Sequence, residues 1–366
     1  MGFAFIKHDT HIDFIGFRRV AYALSLLLLL VGVVSALWGK GPKLGIDFAG
    51  GVIVQVQFQQ QIDDNALKRS LDIPTLPGIT TQRFGDTGRD FLLRFSQTES
   101  GDATQLRTTV VDTLAAAFPG NKAEIQRLEV VGPKVGADLT NKALSALYYS
   151  ILLIAVYISG RFEQRWMAGA AMAAALWGGV YLVGLTGVGM GWLVLVALGI
   201  TLIVCFVMRL NFALGALVGL LHDVAITVGL LSVMGVELDL NVLAALLTLI
   251  GYSLNDTIII YDRLRENLRA APNLDMAGLI NRSVNQTLSR TILTSGTTAV
   301  ATLALLLLGG GVIHDFALTM LIGVIIGTYS SIYVASSILL ALGNTQFYVA
   351  LIQKENYERP GEHGIV

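Results

Sequence analysis

Charged residues are scarce in this sequence. Only 14% of the 366 residues are charged, whereas soluble globular domains carry about a quarter. Acids and bases nearly cancel to a formal net charge of −1, which gives no indication of a nucleic-acid partner. Together with a mean hydropathy of +0.66, this scarcity excludes an ordinary soluble protein and indicates membrane-spanning segments.

Cysteine is almost absent, and the residue combinations of common catalytic sites are missing. Cys205 is the only cysteine, so an intrachain disulfide is excluded and a packing role is predicted. The five histidines are scattered, and the sequence has no nucleotide-binding loop, metal-ligand cluster or nucleophile–base pair. We therefore expect a protein that is not an enzyme and that needs no cofactor.

Long apolar runs are abundant, and their connectors predict how the chain crosses a membrane. Eight runs are long enough, at about 1.5 Å per residue, to cross or nearly cross it. Arginines mark alternate connectors, whereas 186–189, 235–239 and 309–315 contain no Lys or Arg. The predicted spans are Val20–Trp38, Leu144–Ile158, Met167–Leu185, Met190–Met208, Phe212–Met234, Leu240–Tyr261, Thr291–Leu308 and Phe316–Leu342.

This alternation predicts a multi-pass protein of the inner membrane. Residues 1–19 and the tail 343–366 are expected in the cytoplasm, residues 39–141 in the periplasm, and 142–342 in the bundle. Val34-Ser35-Ala36 faintly resembles a signal-peptidase site. The length of the preceding run instead favours an uncleaved first helix.

The polar segment 39–141 has the pattern of a small α/β domain. Residues 52–58 alternate apolar and polar, as in a half-buried strand. A helix near 65–70, strands at 80–84 and 90–95, a helix over 101–117 and a strand over 123–131 follow. This order is that of the split βαβ, ferredoxin-like arrangement. The predicted fold class is therefore a helical bundle with one ferredoxin-like α+β domain.

Three segments carry a family resemblance. Gly45-Ile46-Asp47-Phe48-Ala49-Gly50-Gly51 follows the first span, and Val131-Gly132-Pro133-Lys134-Val135-Gly136 precedes the second. Taken alone, these two indicate only a tight turn and a linker. The third comprises Gly251–Thr257, Tyr261–Asn267 and Asn285–Thr291, with further similarity at 315–317 and 323–331. In these segments the chain resembles SecF proteins of the SecD/SecF protein-export family.

The resemblance implies a set of partners and a mechanism. It implies membership of the resistance-nodulation-division (RND) superfamily, whose members couple a transmembrane proton path to movement of an outer domain. The implied partners are a SecD homologue, the SecYEG channel, YajC, an unfolded preprotein and membrane lipid, with no nucleic acid. It also marks Asp47, Gly50 and Gly51 as motif residues.

Asp256 is the main candidate for a proton carrier. It lies in an apolar run, six residues or about 9 Å before the polar edge at Asp262. A charged side chain at such depth costs about 2.5–3.5 kcal/mol on insertion scales, so it rarely lies there without a function or a partner. The alternative is a carboxylate that only pairs with a neighbouring helix.

Several other side chains are expected near Asp256. Arg290, predicted at the start of the next helix, is the expected counter-charge, and a plain positive-inside anchor is its alternative. Asn255, Thr294 and Thr298 are the expected supporting polar groups. The hydroxyl stripe that contains Thr294 and Thr298 also fits simple interhelical packing.

His222 and Asp223 are a second ionisable pair, eleven residues into a predicted span and thus near its middle. Histidine titrates near neutral pH, so the pair could belong to a proton relay. An equally acceptable interpretation is a structural pair that holds two helices together.

The predicted eight spans exceed the six that are usual in SecF. The additional pair, residues 167–208, resembles a local duplication, because Trp166-x-x-Gly169-Ala170 echoes Phe212-x-x-Gly215-Ala216. Two other functions compete with SecF-like export: a proton-driven RND exporter of small molecules or lipids, and a scaffold without transport. A single bundle with one soluble domain favours an obligate partner over a self-contained exporter.

Overall fold

The computed structural model describes residues 11–38, 41–71, 73, 79–84, 88–95, 103–163, 166–185 and 187–350. The chain forms an α/β domain and a helical bundle, connected twice through the bundle's first two long helices. In the first part of the chain the elements are α1 (Arg18–Trp38), β1 (Lys43–Leu44), α2 (Ile46–Ala49), β2 (Gly51–Phe58), α3 (Asp64–Ser70), β3 (Thr80–Phe84), β4 (Asp90–Phe95), α4 (Ala103–Ala117) and β5 (Ala123–Val131).

The α/β domain is the predicted ferredoxin-like unit. Its sheet has the order β3-β4-β2-β5 and every neighbouring pair is antiparallel. Asp63 begins α3, because its carboxylate accepts a hydrogen bond from the Ala66 amide. The core consists of one face of the sheet and the apolar sides of α3 and α4, including Val52, Val54, Val56, Leu67, Phe91, Leu93, Val110 and Leu114.

The bundle contains the remaining long helices. These are α5 (Pro133–Glu163), α6 (Trp166–Gly184), α7 (Met190–Val207), α8 (Asn211–Met234), α9 (Leu240–Ala270), α10 (Met276–Leu308), α11 (Gly311–Ser330) and α12 (Ser336–Leu342). A two-residue strand, β6 (Glu237–Leu238), precedes α9. A π-helix, Ser331–Ala335, joins α11 to α12.

Seven of the eight predicted spans lie in helices that are long and apolar enough to cross a membrane, within the described ranges. The last of these comprises α11, the π-helix and α12. The remaining predicted span, 167–185, forms helix α6, which has 19 residues from Trp166 to Gly184.

Three helices are longer than the apolar runs that predict them. Helix α5 begins at Pro133, α9 continues to Ala270, and α10 begins at Met276. The extensions of α9 and α10 stay helical because they pack on each other: Leu264 and Leu268 of α9 are buried in one cluster with Leu279 and Ile280 of α10. The extension of α5 packs on α2 instead. Hydropathy detects only the part of a helix that suits lipid, so the sequence predicts a connector where these extensions lie.

The additional pair of helices lies at the edge of the bundle. Helix α6 packs on α5 and α7, and α7 packs on α5 and α8. Cys205 of α7 is fully buried in the main core, in agreement with its predicted packing role. Large apolar side chains such as Trp177 and Trp192 remain exposed on this pair, so it presents an apolar surface outward.

Both described chain ends pack on the bundle end opposite the α/β domain. The Asn285 side chain pairs with the backbone of Ile12, accepting from its amide at 3.0 Å and donating to its carbonyl at 2.8 Å. Tyr348 is fully buried and its ring lies against Phe212. The predicted tail thus packs on the bundle at Tyr348, and residues 351–366 lie outside the described part of the chain.

Candidate functional site

Asp256 lies inside the bundle, sixteen residues after the first residue of α9. Only 2% of its surface is exposed. Helices α10 and α11 pack beside α9 at this level. The carboxylate therefore lies in a helix-enclosed position where a fixed negative charge would be costly.

Hydroxyl groups from two neighbouring helices surround the Asp256 carboxylate. Ser295 of α10 donates to Oδ2 at 3.2 Å, and Thr328 of α11 lies 2.6 Å from the Ser295 hydroxyl. The hydroxyl of Thr294 lies 3.5 Å from Oδ1, but it also donates to the Arg290 carbonyl at 3.0 Å. The Thr294 hydroxyl can therefore donate its hydrogen to the backbone carbonyl, and its oxygen can accept a hydrogen from Asp256.

Arg290 does not form the expected ion pair. Among the residues that the structure describes, Arg290 forms no ion pair with Asp256 within 4.0 Å; it is exposed, and its charge acts on the Asp256 carboxylate only over a longer distance. The prediction that it begins its helix is also wrong, because α10 begins at Met276. Arg290 thus lies in the middle of a long helix, one turn before Thr294, with its side chain on the outer face.

The other two predicted supporting groups, Asn255 and Thr298, differ in how far they are buried. Asn255, the neighbour of Asp256, is exposed. Thr298 is half-buried and its carbonyl accepts from Thr302, while its own hydroxyl does not contact Asp256. Of the predicted hydroxyl stripe, only Thr294 and Ser295 reach the carboxylate, because successive stripe members rise along the helix away from it.

His222 and Asp223 lie in the centre of a second polar network. Asp223 is 1% exposed; its Oδ1 lies 2.9 Å from His222 Nδ1, and its Oδ2 accepts from Ser253 at 2.6 Å and Ser330 at 2.8 Å. His222 Nε2 lies 2.9 Å from the Ser25 hydroxyl. The network thus connects α1, α8, α9 and α11.

Counting donors shows how many protons this network holds. Tyr329 donates its hydroxyl hydrogen to the Ala21 carbonyl, so the Ser25 hydroxyl, 2.9 Å from Tyr329, must donate to Tyr329. Ser25 can then only accept from His222, which requires a hydrogen on Nε2. The contact between His222 Nδ1 and Asp223 Oδ1 needs one further hydrogen. The pair therefore shares one proton, and its net charge is zero whichever atom holds it.

Three consecutive residues of α11 connect the two carboxylates. Thr328 contacts the Ser295–Asp256 group, Ser330 donates to Asp223, and Tyr329 lies between them in the chain. Gly327 permits this approach: a Cβ there would lie 3.0 Å from Ser253 Cβ and 3.6 Å from Asp223 Oδ2. The π-helix begins at the next residue, Ser331, and π-helical turns are frequent at functional sites.

The glycine motif after α1 attaches the α/β domain to the first turn of α9. Asp47 Oδ2 accepts a hydrogen bond from the Leu240 amide at 3.0 Å, and the Gly45 amide donates to the Leu238 carbonyl at 2.7 Å. Gly50 and Gly51 have φ angles of +76° and +147°, which favour glycine. The motif is therefore more than a turn, since it contacts both parts of the protein.

Asp239 begins α9 at this junction. Its carboxylate accepts from the Val242 amide at 2.8 Å. Burial raises the pKa of Asp239 above its usual value of 3.8, and the charges of Asp47 and Asp315 add to this rise, although the cap hydrogen bond and Arg94 oppose it. Ionised Asp239 thus costs folding free energy that the neutral form does not.

Asp239→Asn is expected to stabilise the protein at neutral pH. Asparagine caps helices about as well as aspartate and cannot ionise. The gain should be smallest at and below the ordinary pKa of 3.8 and should grow as the pH rises through the raised pKa of folded Asp239. Melting midpoints of both proteins at about pH 4 and pH 8 test this, and a gain that is equal at both pH values would contradict it.

Sequence reasoning missed the partners of His222 and Asp223. These partners are ordinary residues of membrane helices, and all of them lie on helices other than that of the pair. They are Ser25, Ser253, Tyr329 and Ser330. One signal was present: Ser253 and Asp256 are three residues apart, so they share a face of α9. The other contacts depend on which helices are neighbours.

This chain is similar in sequence and in structure to known protein-export components. The family described as "Protein export membrane protein SecD/SecF, C-terminal" matches residues 110–190 and 183–345, and "SecD/SecF GG Motif" matches residues 35–62. The two segments of the first match overlap at residues 183–190, where α6 ends and α7 begins, in the pair predicted as an addition. The second contains Asp47, Gly50 and Gly51.

Individual relatives are similar over nearly the whole chain. The protein translocase subunit SecF of Magnetococcus marinus is 40% identical, and the match covers 91% of this chain and 92% of that protein. The protein translocase subunit SecF of Calditerrivibrio nitroreducens is 36% identical, over 91% of this chain and 94% of that protein. A crystal structure of SecDF, a translocon-associated membrane protein from Thermus thermophilus, is 32% identical with a TM-score of 0.65. The match covers 92% of this chain but only 39% of the SecDF chain.

Proposed function

Because this chain belongs to the SecD/SecF family of protein-export membrane proteins, we propose that it is a SecF-like subunit of the translocase. In this proposal it couples proton movement through its multi-pass bundle to late steps of preprotein export. The carboxylate of Asp256 is buried, two hydroxyl groups of α10 contact it, and it forms no close ion pair among the described residues; this is the observation that carries the proposal.

The hydroxyl groups around Asp256 suit both protonation states. When Asp256 is ionised, Ser295 donates to it at 3.2 Å. When it is protonated, its own hydrogen can be donated to the Thr294 oxygen, whose hydrogen is used on the Arg290 carbonyl. Neither state leaves the carboxyl group without a partner, so the side chain can take up and release a proton with small local rearrangement.

In the proposed mechanism, the position of Arg290 depends on whether Asp256 is ionised or protonated. Its side chain is exposed here, and a long flexible stem allows the guanidinium to move along the bundle surface. An approach to ionised Asp256 would stabilise the charge, and protonation would release the arginine. The His222–Asp223 network, connected to Asp256 through α11, is the proposed relay partner.

Exposed polar side chains on α9 and α10 indicate a missing partner. Asn255 and Arg290 are both exposed, and polar groups facing lipid are costly in a membrane. We propose that this partner is a SecD homologue, since the chain covers only 39% of the SecDF chain it resembles. The wider proposed partners are SecYEG, YajC and preprotein. In the proposed topology, both termini are cytoplasmic and the α/β domain is periplasmic.

Inverted membrane vesicles test the proposal. Vesicles that contain the Sec channel, a SecD homologue and this chain should complete preprotein translocation faster when a proton gradient is imposed. Collapse of the gradient with an ionophore should remove the acceleration, and matched vesicles without this chain should show none. An equal response in both preparations would contradict a role in coupling, and gradient-driven export of a small dye alone would favour an exporter.

A further inference from the structure

The motif Gly45–Gly51 has no role in the proton chemistry, yet it makes close contacts between the two parts of the protein. Strands β1 and β6 pair in parallel, with Lys43 opposite Glu237 and Leu44 opposite Leu238. A Cβ on Gly45 would lie 3.0 Å from Asp239 Cβ, so the backbones approach as closely as glycine allows. The motif thus lies directly on the segment that begins α9.

A second contact ties the sheet of the α/β domain to the same segment. Arg94 of β4 forms an ion pair with Glu237 of β6. The two side chains are 18% and 24% exposed, so solvent screens this pair less than a fully exposed one. Arg94 is on β4, which pairs with β2, and β2 begins at Gly51, the last residue of the motif.

The motif is also held from the side of α5. A Cβ on Gly136, in the first turn of α5, would lie 2.7 Å from the Phe48 carbonyl oxygen. A Cβ on Gly51 would lie 2.9 Å from the Phe95 carbonyl oxygen of β4. Residues 45–51 are therefore fixed on several sides and have little freedom to swing.

We propose that Asp47 is a positioning residue that fixes the first turn of α9 to the α/β domain, so that α9 and Asp256 move with this domain. Its carboxylate accepts from the Leu240 amide at 3.0 Å, a backbone donor that has no partner within the helix. Asp256 lies sixteen residues further along the same helix, about 24 Å away. A continuous helix transmits a displacement over that distance because its backbone hydrogen bonds resist stretching.

This inference rests on the proposed function only for its consequence, because the attachment itself can be measured separately. Hydrogen exchange of the full chain, purified with its SecD homologue, reports opening at residues 236–243. Asp47→Ala should accelerate exchange there about fivefold, the ratio that loss of a typical N-cap corresponds to. Asp47→Asn keeps an oxygen acceptor and should exchange like the original protein. Exchange in β2 should stay unchanged in both.

A charge exchange provides an independent test should Asp47→Ala fail to fold. Arg94→Glu places two acids together and should accelerate exchange at 236–243, while Arg94→Glu combined with Glu237→Arg should restore protection. Unaltered exchange at these residues in both Asp47→Ala and Arg94→Glu would overturn the attachment.

The functional consequence is a loss of coupling. In the vesicles described above, Asp47→Ala should reduce the amount of preprotein translocated per proton taken up, whereas Asp47→Asn should preserve this ratio. A merely structural role would reduce translocation and proton uptake in the same proportion, and that result would overturn the positioning role. If the original chain shows no gradient response at all, the proposed function fails, while the exchange data still decide the attachment.

Discussion

Gradient-driven translocation should fall to the level measured without a gradient when Asp256 is replaced by asparagine. The amide of the replacement cannot bind or release a proton near neutral pH, yet its oxygen can still accept from Ser295. The volume of asparagine is almost that of aspartate, so the surrounding helices need not repack. Asp256→Asn therefore removes the proposed chemistry while preserving the site.

Inverted vesicles with equal amounts of assembled protein provide the measurement. Asp138→Asn is a matched control, because Asp138 is an exposed aspartate on α5 that pairs with Lys142, one turn away. It should translocate like the original protein. If Asp256→Asn retains full gradient-driven translocation, Asp256 is a structural residue and the scaffold interpretation gains support.

Removal of the Asp223 side chain should strongly destabilise the bundle. Asp223→Ala leaves His222, Ser253 and Ser330 without their shared acceptor in a site that is 1% exposed. Breaking a buried pair by removing one partner costs about 3–5 kcal/mol. We expect a clearly lower melting temperature and less assembled protein in the membrane. An unchanged melting temperature would show that these contacts contribute little.

Asp223→Asn distinguishes a proton relay from a structural pair. Asparagine retains the oxygen that accepts from Ser253 and Ser330, and its amide group can donate to a neutral His222. A structural pair should therefore tolerate the change, with melting temperature and translocation close to the original. Loss of gradient-driven translocation with an unchanged melting temperature would instead support the relay.

Much of the fold could be predicted because hydropathy and period follow directly from the surroundings of a helix or strand. The strands 80–84, 90–95 and 123–131 and the ferredoxin-like order agree with the structure. The boundaries of α9 and α10 could not be predicted, because their polar extensions are stabilised by packing on each other.

The candidate site was predictable in depth but not in contacts. A carboxylate within an apolar run has to be buried, and Asp256 is. The helical period also placed Thr294 on the correct face of α10. It did not show that Arg290 faces outward or that α11 lies between the two carboxylates, because both depend on helix neighbours far apart in the chain.

The shared proton of His222 and Asp223 has an electrical consequence. Since the pair is neutral whichever of the two atoms carries the proton, a transfer between them moves no net charge over any large distance. A membrane voltage acts on displaced charge, at about 2.3 kcal/mol per elementary charge for 100 mV across the full membrane. Transfer of the proton within the pair is thus nearly insensitive to voltage, whereas proton uptake or release by Asp256, as proposed above, would change a full charge within the field.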